Sequence, residues 1–468
     1  MGKRCMLYAD IQSLQTEVTG SGTLVTANFP DGTKEHVLVD FGLFQGSDEN
    51  VKLNSKIGFL PKDLSAILVT HAHIDHIGRI PMLYKNGANC KTFMTNDTLI
   101  VAEKLLNNTA CILANNEKKD EQLYSIADYE KAMIEFRSCE CDDVINITEH
   151  ISVKFIQNQH IAGAAMIFIC ISYENERCIK LLFSGDVNNT HAFSTKHTTL
   201  PSWLKETELS MLMCESTYGA RKKVPDEHGK FKREIEEFSK EDKTILIPAF
   251  SFGRFQNILL CLKELQDEGK LSLNIPIYID GKLGIDITAI WAKLETVELK
   301  DFIPTDVQIV QDKKILMADK NPKIIVTTSG MGNFGPAREY LVHYIEDDNA
   351  VIYLTGYSSQ GTASRTVLEG VYDEELQVNG IICHKKATVT FTGEFSSHAK
   401  KNELIEYIRS FAKVNCLLLN HGEAEQKISL AKSYKESYKT NIKTIGIIDG
   451  KTVYRINSYG FVKSYQMF

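Results

Sequence analysis

The chain has 468 residues, of which 43% are hydrophobic, 24% charged and 9% aromatic, a balance that excludes disordered, collagen-like and disulfide-scaffold classes. Fifty-three Lys and Arg against 60 Asp and Glu give a net charge of −7, which argues against a protein that holds nucleic acid by bulk basic charge but not against local phosphate contacts. Eleven cysteines, an odd number with no C-x-x-C pair, point to free thiols in a reducing compartment.

The first fifteen residues, MGKRCMLYADIQSLQ, lack the apolar run of a signal peptide, and Met6 breaks the myristoylation pattern that Met1-Gly2 would begin. No stretch approaches eighteen uninterrupted apolar residues, so a soluble cytoplasmic protein is expected. Short apolar runs then end abruptly in ionisable residues. HVLVD ends at Asp40, AILVTHAH runs out at His71, KLLFSGD ends at Asp186, LSMLMCES at Glu215 and CLLLNH at His421. Such runs between turn signals read as buried strands. Ligands gather at the carboxyl ends of strands in α/β proteins, so these side chains are expected to converge on one sheet edge. The polar stretch 115–122 reads as a solvated loop or helix start, and the isolated Cys139-x-Cys141 as incidental.

The densest chemistry is His71-Ala72-His73-Ile74-Asp75-His76. Imidazole and carboxylate suit zinc and similar divalent ions. An extended backbone after the strand would turn residues 71, 73 and 75 one way and 76 the other. One compact loop then serves two adjacent ions, His71 and His73 on one, Asp75 and His76 on the other.

From about 220 to 390 the strand–helix alternation continues without histidines at the strand ends, as expected of a second α/β unit with a mainly parallel sheet. The histidine pattern returns at FSSHAK and NHGE, so this unit reads as an insertion. Its loops favour anions. Ser251 and Arg254 lie in SFGR, and Ser329 and Gly330 open a G-x-G-x-x-G stretch at Gly330–Gly335. The next strand, AVIYLTG, ends in Thr355 and Gly356 rather than an acid, so phosphate contact fits better than dinucleotide binding. The loop from Tyr357 to Arg365 offers Ser359, Gln360, Gly361, Thr362 and Arg365 in the same sense. Basic clusters at Arg221-Lys222-Lys223 and Lys385-Lys386 fall near the unit junctions and read first as solvated faces, with the lining of a cleft as the alternative.

Taken together these motifs resemble the β-CASP subgroup of metallo-β-lactamase-fold nucleases. HxHxDH matches the metal loop at residues 71–76, Asp40 the supporting carboxylate, His160 in NQHIAGAA a further ligand, and Asp186 the bridging carboxylate. Glu215, His398 and His421 resemble the subgroup's motifs A, B and C. The resemblance implies an αββα sandwich over residues 1–218 and 391–468, with a β-CASP domain inserted at 219–390. It also implies metal ligands His71, His73, Asp75, His76, His160, Asp186 and His421, and catalytic roles for Asp75, Glu215 and His398. Two divalent ions are expected per chain, zinc ahead of manganese. A histidine at motif C is similar to the RNA-processing members, including bacterial and archaeal homologues of the mRNA 3′-end cleavage and polyadenylation specificity factor endonuclease. Ser397 and Lys400 depart from the pattern, standing where many relatives carry Gly or Ala and Asp.

The function so implied is hydrolysis of RNA phosphodiesters, endonucleolytic or from the 5′ end, by a two-metal-activated hydroxide in a cleft between the domains. RNA is the expected partner, with no membrane, and a homodimer is left open. The motif positions leave no room for an N-terminal RNA-binding extension or a long C-terminal domain. Alternatives are a hydrolase of small esters or thioesters, a DNA nuclease of the same subgroup, or a non-cutting scaffold. The intact ligand set weighs against the last.

Overall fold

A computed structural model describes residues 6–16, 18–116, 122–188, 199–222, 228–356, 358–437 and 442–466. Residues 117–121 of the polar stretch, Lys223 and Tyr357 lie outside them. The chain divides into two compact units, one of Met1–Gln45, Asn50–Lys223 and His398–Phe468, the other of Gly46–Glu49 and Val224–Ser397.

In the first unit, alternating sequences such as YADIQS turn every second residue inward, so one face of each strand is apolar. Eight strands form one sheet in the order Gly460–Gln466, Thr452–Asn457, Tyr8–Ser13, Thr23–Asn28, Lys34–Val39, Leu64–Leu68, Lys91–Thr95, Phe136–Cys139. Seven form the other, in the order Thr444–Ile447, Cys416–Asn420, Met211–Glu215, Ile179–Phe183, Ala165–Ile171, Ile151–Gln157, Ile145–Asn146. Their inner faces bury Ile11, Val25, Val37, Leu68, Phe155, Ile167, Leu181, Met213 and Leu418 against one another. Strands such as Met211–Glu215 are buried on both faces, because helices Lys401–Arg409 and Ala424–Ser437 pack Leu404, Ile408 and Leu430 onto Leu212, Leu417 and Leu419. Helices Asn96–Asn116 and Ile126–Glu135 attend the other sheet. The result is the expected αββα sandwich.

The second unit holds a six-stranded sheet, every pairing parallel, in the order Gln308–Ile309, Ile277–Asp280, Lys323–Thr327, Thr244–Pro248, Ala350–Leu354, Thr388–Phe391. Its three central strands read as unbroken apolar runs because helices cover both faces. The loops bearing Ser251 and Arg254, Ser329 and Gly330, and Ser359–Arg365 leave the carboxyl ends of those same three adjacent strands.

Lys385 corrects the expectation of a solvated or cleft-lining cation. It is buried, and its Nζ donates to the Gly370 carbonyl, so it braces its own unit. The described cysteines are all free thiols, and Cys139 donates to the Met94 carbonyl. Among the described residues no helix is long and apolar enough to cross a membrane.

The chain's two ends are joined within the first sheet. Tyr8–Ser13 pairs with Thr452–Asn457, and across that pair Arg455 grips both oxygens of Asp10 at 2.8 Å while lying 3.7 Å over the Tyr8 ring. Lysine has neither the fork nor the planar stacking surface. Arg455→Lys is therefore expected to lower stability by about 1–2 kcal/mol. A urea midpoint unchanged within error would show that the clamp contributes nothing.

Candidate metal and catalytic site

The candidate ligands all emerge where strands of the first unit end. Lys34–Val39 delivers Asp40, and Leu64–Leu68 delivers Val69, Thr70 and the histidine loop. The loop is not extended throughout. Residues Ile74–Ile77 close a helical turn, so Asp75 and His76 leave it from a turn rather than by strand alternation. That corrects the alternation expected from the sequence while keeping the four side chains together.

The loop is held from behind. Asp40 takes a left-handed φ of 58° just past its strand, which aims its carboxylate at the loop. Its Oδ1 accepts the Thr70 backbone N–H and its Oδ2 the Thr70 hydroxyl, both at 2.8 Å. Oδ2 also lies 2.8 Å from His76 Nδ1. Having given its proton to Asp40, the Thr70 oxygen is left to accept from His71 Nδ1 at 3.0 Å. Both rings thereby carry their proton on Nδ1 and turn Nε2 inward. Gly42 is required here: a Cβ would sit 1.6 Å from the Asp75 carbonyl oxygen. Arg79 pins the same segment, its Nε donating to the Gly42 carbonyl at 2.6 Å and its guanidinium lying over the Phe41 and Phe44 rings.

Asp186 is the hub. Its Oδ2 lies 3.5 Å from His71 Nε2, 3.4 Å from His76 Nε2 and 3.5 Å from His160 Nε2. His73 Nδ1 closes one group, 3.1 Å from His71 Nε2 and 3.2 Å from His160 Nε2. His421, at a left-handed φ of 47°, closes another, with Nε2 3.2 Å from His76 Nε2 and 3.6 Å from Asp75 Oδ2. Three overlapping sets of donors result: His71, His73, His160 and Asp186; Asp75, His76 and His421; and Asp186, Glu215, His398 and His421, in which His398 Nδ1 is already taken up by Glu215.

These sets fit divalent ions. Ring nitrogens that face one another across 3.1–3.2 Å in a buried pocket are spaced as neighbouring ligands of one divalent ion would be. Asp186 Oδ1 is buried and receives no hydrogen bond from the described residues. Burial, reinforced at His71 by the charge of His76, holds His71 well below the usual imidazole range, and burial brings His73 down to about 4. Both are therefore neutral at pH 7, as ligation requires. At His76 burial is outweighed by Asp186 and Asp40, which push it up, so these carboxylates demand positive charge at that point. Burial at Asp75 is likewise overcome by the His421 hydrogen bond and the neighbouring imidazoles, bringing the carboxyl down to about 2.

Glu215 and His398 flank this cluster. Both Glu215 oxygens face His398 Nδ1, at 3.0 and 3.1 Å, and Oε1 also accepts the Val187 N–H at 2.6 Å. The ring's far nitrogen, Nε2, is 3.9 Å from Asp186 Oδ2. Burial would lower the His398 pKa, but Glu215 and Asp186 overcome it and hold the ring up at about 9. The His398 side chain is 17% exposed and Asp75 20%, and His73 is likewise only partly buried, against 5% or less for Asp186, His71, His76, His160 and His421, so the cluster opens on the side of these three.

Several supporting residues carried no signal strong enough to read from sequence. Asn158 accepts the His160 N–H and donates to the Asp186 carbonyl, Ser184 Oγ accepts the Glu215 N–H, and Thr217 Oγ1 meets His421 Nδ1 at 3.1 Å. A hydroxyl or amide directly beside a ligand was the only hint. Lys400 proves to be the N-cap of helix Lys401–Arg409, its N–H bound by Glu403, so a carboxylate at that position would serve the helix end rather than the ligands.

In the second unit the anion-loop candidates are engaged in turn chemistry. Thr362 caps helix Ala363–Glu369, the Ser359 carbonyl accepts the Thr362 hydroxyl, Ser364 Oγ donates to the Gly330 carbonyl, and Arg365 pairs with Glu369. The Arg254 side chain lies where a side chain on Gly356 would otherwise be, 1.7 Å from the Cβ that residue lacks.

Comparison with known proteins follows this geometry. Residues 17–92 match the metallo-beta-lactamase superfamily, 255–367 the Beta-Casp domain, and 384–445 a Zn-dependent metallo-hydrolase RNA specificity domain. An RNase J-like protein of Methanocaldococcus jannaschii is 30% identical over 418 residues, covering 87% of this chain and 91% of that protein. A ribonuclease of Thermus thermophilus is 27% identical, covering 89% and 93%. A transcription termination factor of Methanocaldococcus jannaschii is 28% identical over 81% of this chain and 62% of its own length.

Thr70→Val keeps volume but strips Asp40 Oδ2 of a donor and His71 Nδ1 of an acceptor. It is expected to cost about 1–3 kcal/mol of stability. Metal affinity should fall roughly ten- to hundredfold, read by competition with a chromogenic chelator. Unchanged affinity would mean that the histidine rings are oriented by packing alone.

Proposed function

The chain belongs to the β-CASP branch of the metallo-β-lactamase superfamily, and from that membership we propose that it is a metal-dependent ribonuclease hydrolysing RNA phosphodiesters. The observation that carries the reading is the Glu215–His398 pair, 3.0 Å apart, in which a buried carboxylate holds a partly exposed imidazole beside a cluster of imidazoles and carboxylates.

His71, His73 and His160 would hold one ion, Asp75, His76 and His421 a second, with Asp186 shared. A set of nitrogens and carboxylates without thiolate suits zinc first and manganese second. Bound ions supply acidification of water and neutralisation of phosphate charge. The protein supplies the rest. Asp40 and Thr70 fix the tautomers of His71 and His76. Asp75, ionised at neutral pH and partly exposed, would accept a hydrogen bond from the attacking water and orient it. Glu215 accepts from His398 Nδ1 and keeps that ring cationic, so its Nε2–H is the donor offered to the phosphate. It would bind the charge developing on a non-bridging oxygen or deliver its proton to the departing oxygen. In the second unit, Ser251, Arg254 and Ser329 are the proposed backbone contacts for RNA, whereas the expected cradle at Gly330 is filled by the Phe250 backbone. Arg365 joins them if it exchanges Glu369 for a phosphate, while Ser359, Gln360, Gly361 and Thr362 would approach the same strand as a loop.

Chelation is expected to abolish cleavage of end-labelled RNA, and elemental analysis to find about two divalent ions per chain. Activity that survives metal removal would overturn the reading. His398→Ala should keep its metal and its RNA affinity while turnover falls roughly a hundred- to ten-thousandfold. Glu215→Ala should do the same more mildly, with the double variant little worse than His398→Ala because the pair acts as a unit. A metal-depleted His398→Ala would make His398 a ligand and reassign the roles.

A further inference from the structure

The Gly330–Gly335 loop was set apart by its glycines, but those glycines are used inside the protein. A Cβ on Gly330 would meet the Phe250 backbone at 3.0 Å, one on Gly332 the Leu341 side chain at 2.2 Å, and one on Gly335 the Thr328 carbonyl at 2.9 Å. No open phosphate cradle remains at these positions. What the loop presents outward is a ring. Phe334 is 59% exposed, whereas Met331, three residues earlier in the same loop, is buried.

A singly exposed aromatic residue is ordinary on a protein surface. Phe334 differs in how firmly its backbone is fixed. Ser329 Oγ donates to the Phe334 carbonyl at 3.3 Å, Asn333 Oδ1 accepts the Ala363 N–H at 3.1 Å, and Asn379 Nδ2 donates to the Gly332 carbonyl at 2.9 Å. The loop is braced on three sides, so the backbone from which the ring projects is fixed. It also stands at the carboxyl end of strand Lys323–Thr327, next to the loop of Ser251 and Arg254, where ligands of parallel sheets gather. Arg338, exposed on the first turn of the following helix, adds a cation four residues on.

We propose that Phe334 is a stacking platform for an unpaired base of single-stranded RNA, with Arg338 meeting the adjoining phosphate; this rests on the ribonuclease reading. An aromatic face beside a cation recognises single strands without regard to sequence, since every base has a π-face. A ring carried on a braced backbone has only its side-chain rotation left to lose on binding.

The test uses the full metal-loaded chain and two short unstructured RNAs of equal length, one normal and one abasic at its central positions. Phe334→Ala is expected to raise KM for the normal RNA roughly five- to hundredfold with kcat little changed, the range for one lost base stack. Wild type and Phe334→Ala should handle the abasic RNA alike. Phe334→Trp should recover the wild-type KM, and its added fluorescence should fall when the normal RNA binds. Equal KM values for wild type and Phe334→Ala on normal RNA would overturn the proposal. So would an equal loss on abasic RNA, which would make the residue a general prop. A wild-type protein that cleaves neither RNA would instead fail the ribonuclease reading itself, a result distinguishable from the others because no variant is needed to see it.

Discussion

One buried carboxylate organises the first unit. Asp186 has three imidazole nitrogens within 3.5 Å of a single oxygen, and such an arrangement is stable only where positive charge compensates it. Everything around it supplies or orients that compensation. Asp40 and Thr70 set two tautomers, Asn158 ties the backbone of His160 to that of Asp186, and Glu215 answers His398. Apart from Asn158 and His160, these side chains lie far apart in sequence. Asp40, Thr70, Asn158, Asp186 and Glu215 meet because each stands at the end of a strand of the sandwich and those strands end at one edge, and His398 joins them from the turn before helix Lys401–Arg409.

That shared edge was legible in the sequence because it obeys a local rule. A short apolar run that stops at an acid or histidine marks a strand end, and Asp40, His71, Asp186, Glu215 and His421 all did so. An α/β fold and the strand-end residues followed from that rule, whereas the αββα architecture and the other expected members, His160 and His398 among them, came from the family resemblance. The conformation of the histidine loop followed from neither, because the backbone there is set by contacts with residues 41–43 rather than by its own propensity. Phe41 and Leu43 donate to the His76 and Ile74 carbonyls, and the missing side chain of Gly42 lets them do so. Thr70 and Asn158 were invisible for a related reason: their partners lie 30 and 28 residues away.

The second unit shows where local pattern misleads. The G-x-G-x-x-G spacing was real, yet its glycines accommodate neighbouring backbone and side chains, and much of the hydroxyl chemistry in the following loop is spent on a helix cap. Lys385 looked like a surface cation and is buried on a backbone carbonyl. In each case the residue type was compatible with both uses, and only the three-dimensional neighbours decide between them.

The pairing of the first strand with Thr452–Asn457 has a consequence for biosynthesis. A ribosome that has added residue 397 has already made six of the seven candidate ligands, but not His398 or His421, and the sheet that carries Asp40 still lacks two of its strands. Residues 224–397 lie in one continuous stretch and can fold as they emerge, whereas the unit that holds the cluster must wait for the C-terminal 71 residues. The centre is therefore complete only once residues on the far side of the second unit have been made, so the order in which the two units fold is written into the chain's connectivity.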